Sequence, residues 1–161
     1  MAAAGRERQL MDTWRGHFPI TNFVLQALLK KKAGETAQFS RTEGVLFNAC
    51  EFWAAVATRE LAQYLASRSV PRLLVAFEAF SEIGAVRVAS ALRLVISDCP
   101  EIPSPKWIRQ HALDLEARLL DTEDSVDHLI GQFASEHLAN DLSERQEKIA
   151  NPRPGLAAPG N

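Results

Sequence analysis

The stretch Ser40-Arg41-Thr42-Glu43-Gly44-Val45-Leu46-Phe47-Asn48-Ala49-Cys50-Glu51-Phe52-Trp53-Ala54-Ala55-Val56 decides the fold class. Ser40 with Glu43 three residues on is a capping box, in which each side chain satisfies an amide that a helix start leaves open. Beyond it Leu46, Cys50, Trp53, Val56, Ala57, Leu61, Tyr64 and Leu65 recur mostly at steps of three or four. That spacing puts them on one helical face and predicts a long helix from Ser40 to about Ser67. Phe47 and Phe52 add apolar surface beside the stripe, so this helix is expected to be central.

Working outward, the same periodicity continues on both sides. Upstream, Thr21 or Asn22 can cap a helix carrying Phe23, Leu25, Leu28 and Leu29. It should close at Lys30-Lys31-Lys32 and Gly34, since cations in a last turn suit the helix dipole. Downstream, Ser69 and Pro71 restart the chain, followed by Leu73, Leu74, Phe77, Phe80 and Ile83 and a stop at Gly84. A further helix over 85–98 would bury Val88, Leu92, Val95 and Ile96. Pro100 and Pro103 interrupt it, and Ser104-Pro105 offers a fresh start. Trp107, Ile108, Ala112, Leu115 and Leu119 make the next helix, and Val126, Leu129, Ile130, Phe133 and Leu138 the last. No run alternates as a strand would. The expectation is an all-α, single-domain bundle of about six helices over 1–144. Residues 145–161, rich in Pro, Gly and Ala without periodicity, read as a disordered C-terminal tail.

The chain has 161 residues and a net charge of −2, but that charge is segregated. Residues 1–41 carry seven basic and three acidic groups, 42–110 seven of each, and 111–161 four basic and ten acidic groups. From Leu119 to Glu144 there are seven acids and no Lys or Arg. With the apolar stripe of that segment facing the core, its acids are expected on the solvated face. Two cysteines are too few for a disulfide framework, and Cys50 in an apolar run reads as a buried free thiol. The first residues lack the apolar core of a signal peptide, and no run approaches the about 18 apolar residues of a membrane span. A cytoplasmic protein is expected, with no membrane contact.

Catalytic and metal motifs do not emerge. His17, His111, His128 and His137 lack an acidic residue three positions earlier, the spacing by which helices aim paired metal ligands inward. Asp124 and His128 read as a surface i,i+4 pair. Residues 121–132 fail as a calcium loop, with Val126 where Gly is needed and Gln132 where Glu is needed. Neither a P-loop nor a nucleophile elbow is present. No cofactor is therefore expected, and the chain is read as not an enzyme. Lys30-Lys31-Lys32 is too short a footprint for direct binding of nucleic acid. That leaves the acids. Asp121, Glu123, Asp124, Asp127 and Glu136 are the candidate partner-binding residues, offered to a protein with a basic surface.

Three segments, Glu43–Trp53, Phe77-Glu78-Ala79-Phe80-Ser81-Glu82-Ile83-Gly84-Ala85 and Leu119-Leu120-Asp121-Thr122-Glu123-Asp124, come in an order that resembles the DNA-mimic-protein-like family of small all-helical bacterial proteins. The resemblance implies a helical fold, a homodimer, and an acidic surface that occupies a DNA-binding protein. The alternatives are a homo-oligomeric structural protein, with Phe47, Phe52 and Trp53 exposed as its interface, and an enzyme whose pocket gathers residues distant in sequence.

Overall fold

A computed structural model describes residues 18–34, 38–68, 71–122 and 124–150, with the backbone alone described at 67–68, 71 and 139–150. The described residues form seven α-helices and no strand. They are α1 (Pro19–Ala33), α2 (Arg41–Ala57), α3 (Leu61–Arg68), α4 (Pro71–Ile83), α5 (Val86–Asp98), α6 (Pro105–Leu120) and α7 (Val126–Ala150).

The capping box forms as read. Ser40 Oγ accepts from the Glu43 amide, and the Glu43 carboxylate accepts from the Ser40 amide. Burial pushes the Glu43 carboxyl up, but Lys31 and the Ser40 donors outweigh it and hold the group below the usual carboxylate value. Helix α2 is central, packing on α1, α3, α4, α6 and α7. Leu46, Cys50, Phe52 and Val56 are fully buried, and Trp53 nearly so. Phe52 meets Tyr64 and Phe80 edge-on, and Trp53 meets Phe18 and Phe80 in the same way. Such contacts favour the ring quadrupoles over flat stacking.

Three boundaries differ from the expectation. The long helix is two helices, α2 and α3, broken over 58–60. Thr58 Oγ1 donates back to the Ala54 carbonyl at 2.8 Å, and Arg59 takes φ 61. A left-handed non-glycine residue costs about 1–2 kcal/mol. The turn redirects Leu61 and Leu65 into the core, where both are buried. At α1 the start is Pro19 rather than Thr21 or Asn22. Proline suits a first helical position because its missing N–H would be unpaired there anyway. Thr21 lies inside the helix, fully buried. Finally, α7 continues past Glu144 to Ala150, so the helical backbone takes in the first residues assigned to the tail. Residues 151–161 lie outside the described residues.

The breaks at Gly84 and at Ser104-Pro105 fall where they were read, and the Ser69 cap lies outside the described residues. Gly84 at φ 88 ends α4, with the Ala85 amide donating back to the Phe80 carbonyl at 3.0 Å in a Schellman-type closure. Ser104 caps α6 by accepting from the Trp107 amide at 3.1 Å, with Pro105 in the first turn. Among the described residues, no helix is long and apolar enough to cross a membrane.

Candidate functional site

A helix start exposes amides that have no partner within the helix. Helices α1 and α5 start at Phe18 and Ala85, neither of which offers a side-chain cap. Both borrow one from the acidic segment. Asp127 Oδ1 accepts from the Thr21 amide at 2.8 Å and the Thr21 hydroxyl at 2.9 Å, and Oδ2 lies 3.4 Å from the Ile20 amide. Asp124 Oδ2 accepts from the Arg87 and Val88 amides at 2.8 and 2.9 Å. A third carboxylate does the same at α3, where Glu116 Oε1 accepts from the Leu61 amide at 2.9 Å. A negative group at a helix N-terminus also meets the positive end of the macrodipole.

This arrangement corrects the expectation that the acids of the segment are solvated. Asp124 and Asp127 are half-buried and bonded to backbone of distant helices. Asp121 is exposed, at the end of α6. Glu136 is exposed on α7, where its Oε1 accepts from Gln132 Nε2 at 3.1 Å. Glu123 lies outside the described residues, as do the side chains of Asp141 and Glu144. Of the four candidates that are described, Asp124 and Asp127 are bonded into the fold, while Asp121 and Glu136 face solvent.

Glu116 was not singled out in the sequence. It is 2% exposed, and its Oε2 is buried without a hydrogen-bond partner. Burial pushes its carboxyl up, opposed by the Leu61 amide and the positive charge of Arg59. A signal was present, since Glu116 sits four after Ala112 and three before Leu119 on the buried face of α6.

The other chemistry-bearing groups lie apart. Cys50 and Cys99 are both free, so no bridge joins them. Burial and the nearby Asp127 charge push the Cys50 thiol up to about 12, which leaves it inert as a nucleophile at neutral pH. His111 stacks on Trp107 with ring centroids 3.9 Å apart, and its Nδ1 is 2.9 Å from the Trp107 carbonyl. Among the described residues no three of His, Cys, Asp and Glu are placed to hold a metal ion. The exposed patch that the homo-oligomer alternative would place at Phe47, Phe52 and Trp53 is not formed, because these side chains are 8%, 0% and 3% exposed within one chain. They are core.

Hollows between helices are present among the described residues. One, of about 150 Å³, lies between α5 and α6 beside His111, Asp98, Asp114 and Arg118. Another is an open groove of about 590 Å³ between α1 and α7, with Ile20, Phe23 and Val24 on one side and Gln132 and Glu136 on the other. Gly131 floors the groove. A Cβ there would lie 3.0 Å from Ile20 Cγ2, so its absence lets α1 and α7 approach. Phe23 stands 74% exposed at the edge.

Comparison with protein-family models, with curated proteins and with solved structures returned no match.

Proposed function

We propose that this chain is a non-enzymatic binding module that engages a basic, DNA-binding protein through its acidic C-terminal helix. The observation that carries the reading is charge segregation. Lys and Arg are missing from 119–144, and residues 111–161 hold ten acids against four bases. Asp121 and Glu136 remain exposed within that region. Exposed charge of one sign concentrated in one stretch of chain steers an oppositely charged partner and raises its association rate. Partners that themselves bind nucleic acid are basic by necessity, since they neutralise phosphates. A DNA-binding protein is accordingly the partner class that the reading favours.

The test is affinity capture from the native cytoplasm at low and high salt, with the chain and with a variant carrying Asp121→Asn, Glu123→Gln and Glu136→Gln. Asp124 and Asp127 are left intact because they cap helices. The expected result is a partner retained at low salt, released at high salt, and held more weakly by the variant. Equal retention by the variant at low salt would show that the acids are only a solvated surface.

A further inference from the structure

We infer that the groove between α1 and α7 seats an amphipathic helix of the partner, with apolar anchors turned inward and Lys or Arg along the flank over α7; the inference rests on the binding-module reading above. The two walls differ in chemistry. On α1, Ile20 and Phe23 are one turn apart and 40% and 74% exposed. On α7, Gln132 and Glu136 are one turn apart, and the bond between them holds the carboxylate on the lip.

An open apolar trough with a turn-spaced wall is the shape into which a helix lays residues at i, i+3 and i+4. Gly131 lets Ile20 pack down onto α7, so the trough between the two helices is shallow and its apolar wall stays close to the polar one. Covering an aromatic this exposed removes apolar surface from water, which favours a partner that seats on it. Charge complementarity selects the flank. Helix α7 has no Lys or Arg before Arg145, so on that wall a cationic flank meets the Glu136 carboxylate, with His128 as the other titratable group lining the groove, and an anionic flank is repelled by Glu136. A small molecule is the weaker fit, because the trough is open and its polar groups stand on the lip instead of converging within it.

The experiment uses the full chain and two labelled peptides of about 16 residues, enough for about four helical turns. Both carry Leu and Phe at i, i+3, i+4 and i+7; one has Lys at the remaining positions and the other Glu. Fluorescence anisotropy at low salt reads the affinity. The Lys peptide is expected to bind, and the Glu peptide to bind at least about tenfold more weakly. Phe23→Ser should weaken the Lys peptide by about tenfold or more, as loss of an aromatic anchor does. Glu136→Gln should weaken it by about two- to fivefold. Leu94→Ser, on the distant α5, should leave it unchanged. Circular dichroism should show Phe23→Ser to be folded, since that side chain is mostly in water.

If the Lys peptide fails to bind, or binds Phe23→Ser as tightly as the parent, the groove is not the docking site. If binding ignores Phe23 but is lost on neutralising Asp121, Glu123 and Glu136, the groove inference falls and the binding-module reading stands. If binding ignores Phe23, those acids and salt alike, both fall.

Discussion

At the start of α2, Ser40 and Glu43 satisfy amides three residues from themselves, whereas at the start of α1 the equivalent amides are met by Asp127 from 106 residues away. The physical need is identical, because each helix start leaves amides without an internal partner. The difference is what else the cap does. A local cap stabilises one helix. A carboxylate from another element also ties two elements together, so its removal costs both a cap and a tertiary contact. Asp127 joins α7 to α1, Asp124 joins the α6–α7 turn to α5, and Glu116 joins α6 to α3.

That comparison breaks most visibly at Asp127. Asp127→Ala leaves the Thr21 amide and hydroxyl without their partner and should cost about 2–3 kcal/mol in urea unfolding. Asp127→Asn keeps one acceptor oxygen and should cost about 1 kcal/mol or less. Should the alanine variant lose under about 0.5 kcal/mol, water replaces the carboxylate and the tie is ornamental. Asp124→Ala, which strips two amides at α5, is expected to cost about 1–2 kcal/mol by the same measurement. The local counterpart, Ser40→Ala, should cost about 1 kcal/mol, because Glu43 and the surrounding helix stay in place.

Glu116 sharpens the comparison through pH. Its folded-state carboxyl lies above the ordinary carboxylate value, so the folded chain holds a proton there more readily than the unfolded chain does. Its contribution to stability must then fall as pH rises from the ordinary value through the raised one. Glu116→Gln keeps an acceptor for the Leu61 amide and removes the buried charge. Unfolding followed across that pH window should lose this component of its slope in the variant, with stability at neutral pH equal to or above that of the parent. An unchanged slope would mean that Glu116 titrates alike in the folded and unfolded chain. The smallest effect is expected at Gly131→Ala. Alanine gains about 1 kcal/mol of helix propensity. Against this, Ile20 must shift by a few tenths of an ångström, which its 40% exposure allows. Thermal unfolding should place the variant within about 0.5 kcal/mol of the parent.

Legibility followed distance along the chain. The Ser40–Glu43 box, the Ser104–Pro105 start and the stop at Gly84 each carry their whole cause within about four residues, and each could be read directly. The break between α2 and α3 carried no Gly or Pro, and the apolar set ran through it in phase, so nothing local marked it. The distant caps were hidden for a related reason. An aspartate that accepts from amides 36 or 106 residues away looks like any solvated acid on a helix. In α1 the apolar residues Phe23, Val24, Leu25, Leu28 and Leu29 wrap so much of the helix that periodicity could not say which side faces inward. The fold buries Leu25 and Leu28 and leaves Phe23 and Leu29 outside, and that choice creates one wall of the groove.

The Asp127–Thr21 tie also bears on how the chain is made. Translation proceeds at about 5–20 residues per second, so Thr21 is added to the chain about 5–20 s before Asp127, 106 residues later. During that interval α1 has neither its cap nor the helix that later runs beside it, and Ile20 and Phe23 have no neighbour on that side. Helix α1 therefore reaches its final form only after Asp127 has been made and α7 has come to lie beside it.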